Sequence, residues 1–203
     1  MNSTQQLTAF ILAGGESSRM GRDKARLELG GVPLILRTAR LVESVAAAPA
    51  IIGNPEAYRA LGLRAIVDDF PGAGPLGGIV TALRAAATPW SFVVATDLPY
   101  LTSEWLEYLA ARGLASSADA VMATNERGLQ PLCAMYNERA EPPLRRAFER
   151  GTRSVIAALR EIRVEEIAPA EWNRFDSEGL LFKNMNSPED YAEAKARFSD
   201  PPR

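Results

Sequence analysis

Leu12-Ala13-Gly14-Gly15-Glu16-Ser17-Ser18-Arg19-Met20-Gly21-Arg22-Asp23-Lys24 follows directly on Thr8-Ala9-Phe10-Ile11-Leu12, a short apolar run that reads as a buried strand. Glycine tolerates positive φ and lets main-chain amides close on a ligand. Successive N–H groups of this bend can therefore surround phosphate oxygens, with Arg19 and Lys24 as countercharge. An isolated Gly-Gly reads as a tight turn; here the extended pattern around it favours the ligand-binding reading. Two familiar phosphate loops do not fit. A P-loop needs Lys-Ser/Thr after its last glycine, whereas Gly21 is followed by Arg22-Asp23. A dinucleotide fingerprint needs an acid at the end of the next strand, which instead closes on Gly53-Asn54.

Working outward, apolar runs alternate with helical patterns. Leu34, Ile35, Leu41, Val42 and Val45 share one helical face. Ile51-Ile52 and Ala65-Ile66-Val67 read as strands around a helical stretch from Pro55 to Leu61. Leu76 to Ala87 reads as a helix, Trp90 to Thr96 as another strand, and Ser103 to Ala111 as a helix capped by Ser103. Strand and helix in alternation imply βαβ units, hence an α/β, Rossmann-like domain with a mainly parallel sheet whose ligands lie at the carboxyl ends of the strands. The turn after Leu12, the pair Asp68-Asp69, and Asp97 after Val94-Ala95-Thr96 then fall on one rim.

Beyond residue 113 the pattern loosens. Ala118 to Ala123 and Leu132 to Tyr136 read as strands around a polar turn from Asn125 to Gln130, and Pro142 to Arg150 and Ser154 to Arg160 as helices. Ser187-Pro188-Glu189-Asp190 is a helix start, with Ser187 as cap, proline in the first turn, and acids at the positive end of the dipole. The chain of 203 residues reads as a single domain over 1–203, with 1–6 and 199–203 as fraying ends.

Composition narrows the chemistry. The chain is 47% hydrophobic and 24% charged with a net charge of −2, which excludes binding of nucleic acid or an anionic membrane by sheer basicity. It has no leader-like start and no apolar window of ~20 residues, so a cytoplasmic location is expected. One cysteine and no histidine leave Asp, Glu, Asn, Lys, Arg and backbone amides to do the work. Cys133 alternates with Leu132 and Ala134 in an apolar strand and reads as core, as do Trp90, Trp105 and Trp172.

Taken in order, Leu-Ala-Gly-Gly at Leu12–Gly15, Arg19-Met20-Gly21, Asp23-Lys24 and Gly74-Pro75-Leu76-Gly77-Gly78 make a pattern. It continues through Thr96-Asp97-Leu98-Pro99, Gln130-Pro131-Leu132 and Asn184-Met185-Asn186-Ser187-Pro188-Glu189-Asp190. Together these blocks resemble nucleotidyltransferases with a GT-A-like fold, and within them the molybdenum cofactor guanylyltransferases of the MobA type. That resemblance implies transfer of GMP from GTP to the phosphate of molybdopterin, with Mg²⁺ as cofactor. It implies Lys24, Arg19 and Asp97 as catalytic residues, and Leu12, Ala13, Gly14, Gly15, Lys24, Asn54, Asp68 and Asp97 as nucleotide ligands. Asp97 with Asn186 would hold the metal, and Gln130 and Asn184 would face the acceptor, more loosely.

Several readings stay open from sequence. Asp68 or Asp69 reads the base while the other stabilises the turn into Phe70-Pro71-Gly72; Asn186 is a ligand or a turn residue. Gly74 to Gly78 approaches the nucleotide or only forms a helix entry. A same-fold enzyme using CTP or a sugar phosphate, and a non-catalytic nucleotide-binding protein, stand as alternatives. There is room for protein partners that deliver the cofactor or accept it.

Overall fold

The computed structural model describes residues 7–13, 24–46 and 48–199. In chain order its strands are β1 (Leu7–Leu12), β2 (Glu28–Leu29), β3 (Val32–Pro33), β4 (Ala50–Ile52), β5 (Ala65–Ile66), β6 (Trp90–Ala95), β7 (Ala120–Asn125), β8 (Gly128–Asn137) and β9 (Val164–Ile167). The helices are α1 (Leu34–Val42), α2 (Pro55–Tyr58), α3 (Pro75–Arg84), α4 (Ser103–Ala115), α5 (Glu141–Glu149), α6 (Val155–Leu159), α7 (Pro169–Trp172) and α8 (Pro188–Ser199).

Seven strands form one sheet in the order β5-β4-β1-β6-β8-β7-β9. The pairs β5–β4, β4–β1, β1–β6 and β7–β9 are parallel, and β8 is antiparallel to both its neighbours, so β8 alone runs against the other six. This is the mainly parallel α/β sheet that the alternating pattern implied. Successive side chains of a strand point to opposite faces. Ala9, Ile11, Phe92 and Val94 accordingly pack with residues of α1 and α4 on one face, while Phe10, Leu12, Val93 and Tyr136 pack with α3, α5 and α6 on the other. Each buried Leu, Ile or Phe contributes about 1.5–3 kcal/mol relative to exposure, enough in aggregate to hold the strand ends in place.

The helix entries follow local chemistry. Asn54 caps α2 by accepting from the Glu56 amide at 3.0 Å, and Pro55 takes the first helical position. Gly74 enters α3 at φ +81°, a backbone conformation that favours glycine, before Pro75. At α8 the Asp190 amide donates to Ser187 Oγ at 3.1 Å while the Ser187 amide donates to Asp190 Oδ2 at 2.9 Å, a reciprocal cap.

Two expectations need correction. The cap of α4 is Thr102, whose hydroxyl accepts from the Trp105 amide at 3.3 Å; Ser103 is already helical. The segment 125–130 is not a long turn, because Asn125 pairs with Gly128 and the hairpin closes over two residues. The apolar signal was weak there, since both strands end at a half-exposed rim. β9 and the β2–β3 hairpin add strands for which the apolar pattern gives no signal: β9 is half polar, and each hairpin strand is only two residues long. α8 runs to Ser199, and of the ends expected to fray, 1–6 and 200–203 lie outside the described residues. Among the described residues no helix is long and apolar enough to cross a membrane.

Candidate active site

The rim forms where the parallel strands end. Leu12 and Ala95 are register partners on β1 and β6, and the Thr96 amide donates to Leu12 O at 3.3 Å. Neighbouring strands lie about 4.8 Å apart, so Ala13 and Asp97 leave the sheet side by side. On the other flank the Ala13 amide donates to Ile52 O at 3.3 Å, and the Gly53 amide to Ile66 O at 3.0 Å. The ends of β5, β4, β1 and β6 therefore form one continuous edge, which brings Ala13, Gly53, Asn54, Asp68 and Asp97 onto a common rim.

Close packing shapes this edge. A Cβ at Gly53 would stand 3.1 Å from Ala13 O, and Tyr58 donates its hydroxyl to the same carbonyl at 3.0 Å. A Cβ at Gly78 would stand 3.3 Å from Leu12 Cδ2, and one at Gly77 3.0 Å from Phe70 Cβ. The first turn of α3 can thus lie against the ends of β1 and β4 because residue 78 is glycine, and against the Phe70 turn because residue 77 is. This answers the open question about Gly74 to Gly78 in part: they make the helix entry and also let α3 reach the rim.

Asp97 is half-buried, and its Oδ1 is screened from solvent. Its carbonyl accepts from the Met185 amide at 2.8 Å, which fastens the 184–186 segment to the end of β6. Met185 is buried with Leu29, Leu34 and Ala194, and this apolar anchor places Asn184 and Asn186 on either side of it. Asn184 is half-exposed and Asn186 exposed. The Asn186 and Ser187 amides hold the Asp190 carboxyl below its usual range, so the turn before α8 is itself firmly built.

Asp68 and Asp69 differ sharply in their surroundings. Asp68 Oδ1 accepts from the Phe70 amide at 2.9 Å and lies 3.0 Å from the Thr81 hydroxyl, whereas Asp69 pairs with Arg84 at 2.6 Å in an exposed position. Asp68 thus stabilises the turn with one of its oxygens, and Asp69 turns to the surface. Val67, just ahead of them, is 65% exposed, the more exposed of the two large apolar side chains that face solvent among the described residues.

At the far side of β6, β7 and β8 pair through Met122 with Ala134 and then Thr124 with Leu129, so extra residues of β8 arch out between these pairs. The arch contains Gln130, Pro131 and Leu132, all half-exposed. Tyr136 pins it by donating to Pro131 O at 2.9 Å, while Gln130 Nε2 donates to Asn125 Oδ1 at 3.1 Å and Gly128 O at 3.0 Å. Arg127 is exposed at the hairpin tip.

Gly14, Gly15 and Arg19 and the side chain of Lys24 lie outside the described residues. The main chain at Lys24–Arg26 forms a 3-10 turn, and Arg26 donates to Ala57 O on α2. Cys133 is core as expected: it is fully buried, accepts from Trp105 Nε1 at 3.4 Å, and burial pushes its thiol up to about 12. Sequence reading missed Thr81 and Tyr58. Thr81 carried a signal, being the one hydroxyl in the apolar stretch Leu76–Leu83. A hollow of about 550 Å³ lined by Phe70, Leu83, Arg84, Glu138, Glu141, Arg145 and Glu149 contributes no residue to the predicted site, and its arginines are already paired with Asp69, Glu141 and Glu149.

Among the described residues no group of three or more His, Cys, Asp or Glu could cage a metal. One carboxylate with nearby amide oxygens suits a hard cation that takes its remaining ligands from water and substrate phosphates, so the donor set at Asp97 fits Mg²⁺ in that manner.

Comparison with known proteins agrees with this geometry. The model of the "MobA-like NTP transferase domain" matches residues 9–164. A protein of Opitutus terrae named "Probable molybdenum cofactor guanylyltransferase" is 36% identical over 194 residues, 91% of this chain and 92% of that one. One of the same name from Chloroflexus aggregans is 33% identical over 189 residues, 91% of each. Among solved structures, the molybdopterin-guanine dinucleotide biosynthesis protein A of Archaeoglobus fulgidus superposes with a TM-score of 0.82 at 27% identity, covering 95% of this chain and 98% of that one. The chain belongs to the MobA-like NTP transferase domain family.

Proposed function

We propose that this protein transfers the GMP part of GTP to the phosphate of molybdopterin, forming a guanine dinucleotide of the cofactor and releasing pyrophosphate, in the cytoplasm. The observation that carries this reading is the pairing of Leu12 with Ala95, which puts the start of the glycine-rich bend and the carboxylate of Asp97 on adjacent strand ends.

A phosphate oxygen of the acceptor attacks the α-phosphorus; the new P–O bond forms as the bond to the β-phosphate bridge breaks, and the electron pair leaves with pyrophosphate. A phosphate monoester has its second pKa near ~6, so the nucleophile is already charged and a chain without histidine needs no strong base. What remains is to align two polyanions and offset their repulsion.

In this reading the amides of Leu12, Ala13, Gly14 and Gly15 hold the nucleotide, with Asn54 beside them and Asp68 accepting from the N–H edge of guanine. Arg19 grips the terminal phosphates by paired hydrogen bonds, and Lys24 stabilises charge on the transferred phosphoryl group. Asp97 and Asn186 would hold Mg²⁺, which when bound supplies neutralising charge between the two substrates. Gln130, on its arch, and Asn184 face the acceptor. Relatives that carry the guanylyltransferase name along most of their length support the choice of base and acceptor.

The test is thermal unfolding with Mg²⁺ and each of GTP, CTP, ATP and UTP, followed by pyrophosphate release with molybdopterin. A nucleotide at 100 times its Kd adds about 2.7 kcal/mol to stability. Stabilisation by GTP above the others is the expected result, and a preference for CTP rejects the guanylyl assignment. Nucleotide binding with no pyrophosphate release on adding molybdopterin rejects the transfer.

A further inference from the structure

Thr81 is a polar side chain only 2% exposed, on the buried face of α3, one turn beyond the glycine that lets that helix approach Phe70. Its hydroxyl accepts from the Asp69 amide at 3.1 Å and lies 3.0 Å from both Gly77 O and Asp68 Oδ1. A hydroxyl has one proton to give. Gly77 O is the regular acceptor for the amide four residues on, whereas an ionised carboxylate is the stronger acceptor, so the proton goes to Asp68 Oδ1.

With the Phe70 amide at 2.9 Å, Oδ1 then has both of its lone-pair directions occupied. Oδ2 has no hydrogen bond among the described residues. Two donors on one oxygen, from two different elements, fix the plane of the carboxylate.

We propose that Thr81 is a positioning residue for base recognition: it clamps Asp68 Oδ1 so that the carboxylate presents one fixed oxygen, Oδ2, to an N–H donor on the base. This rests on the reading of Asp68 as the base contact. Guanine offers N1–H and a 2-amino group to such an oxygen; where guanine presents N1–H, adenine presents the N1 lone pair, which a fixed carboxylate repels, and its 6-amino group lies on the other side of N1. Without the hydroxyl the carboxyl group keeps the Phe70 amide but gains freedom to rotate, and the penalty against adenine relaxes.

The experiment is titration of the full chain with GTP and with ATP, in Mg²⁺, for the parent, Thr81→Val, Thr81→Ser and Asp68→Ala. Thr81→Val is expected to narrow the GTP-over-ATP preference about tenfold, the scale of one hydrogen bond to a charged group, while Thr81→Ser retains it. Asp68→Ala is expected to remove it. If Asp68→Ala keeps the full preference, Asp68 is not the base contact and the proposal goes with it. If Asp68→Ala loses the preference while Thr81→Val keeps it, or weakens both nucleotides equally, the clamp alone is overturned. Should Thr81→Val not fold, Thr81→Cys, which offers only a weak donor, carries the same comparison with the same two outcomes.

Discussion

From β5 through β4 and β1 to β6 the strands run one way and release their polar residues at a single edge, whereas past β6 the antiparallel β8 intervenes and the charged groups are tied to one another. Asp119, just ahead of β7, accepts from Arg163 and Arg139, which hold its carboxyl down at about 2. Arg112 on α4 bonds Glu165, Glu171 and Tyr108, and these contacts raise its guanidinium above the ordinary arginine value. The Arg112 network joins α4, β9 and α7, and half of the residues of β9 are acids. The parallel half has no network of that extent at its rim among the described residues: Asp68 Oδ1 meets one amide and one hydroxyl, and Asp97 sits half-buried beside Met185. Charges locked together serve the fold, whereas Asp68 Oδ1 is held by uncharged donors at the rim.

The contrast can be broken most directly at Asp97. Asp97→Ala is expected to lower the rate of pyrophosphate release on the order of 10³-fold, the scale of removing a preorganised charge-stabilising group, with a melting temperature near the parent's. Turnover within about tenfold of the parent would remove Asp97 from the site.

Gly113→Ala probes the other half. The added Cβ would stand 2.8 Å from Met135 Cβ and Cγ, so urea unfolding should show a loss of about 1–3 kcal/mol while the Kd for GTP stays put. A changed Kd would mean that the two halves are coupled. Gly53→Ala should do the reverse, costing about 1 kcal/mol or less yet weakening GTP, because the neighbour at 3.1 Å is the Ala13 carbonyl at the rim. Unaltered GTP affinity would show that this edge does not touch the nucleotide.

Acid titration sharpens the role of Asp119. Its folded pKa lies below the unfolded value near 3.9, so its stabilisation is present above about pH 4 and is lost as the pH falls toward about 2. Melting temperatures of Asp119→Asn should therefore fall less steeply than the parent's across that window; parallel curves would show the arginine pairs to be unimportant. The smallest effect is expected for Arg84→Ala, which opens an exposed pair with Asp69 and should cost about 0–1 kcal/mol with no change in GTP binding. A loss of GTP affinity there would return Asp69 to the site.

Much of the parallel half was legible in the sequence because β1, β4 and β6 are buried on both faces and read as uninterrupted apolar runs. Thr8–Leu12, Ile51-Ile52, Ala65-Ile66 and Trp90–Ala95 all fall on strands, and the Gly-Gly bend, Asp68 and Asp97 follow their ends. β9 stayed hidden because Val164-Glu165-Glu166-Ile167 is half polar and is held by pairing with β7 and by Arg112. At Thr102 and Ser103, two adjacent residues with the same capping chemistry, the choice rested on backbone conformation, which composition does not encode.

By itself the sequence determined where strands end and which residue types stand there, since apolar periodicity and glycine tolerance are local properties of the chain. Only the tertiary structure decided which of Asp68 and Asp69 turns to the surface, that the Met185 amide fastens Asn184 and Asn186 beside Asp97, and that Thr81 reaches back from α3 to Asp68. Those contacts join residues far apart in the chain, and what sets them is the packing of helices on the sheet rather than any pattern within a single segment.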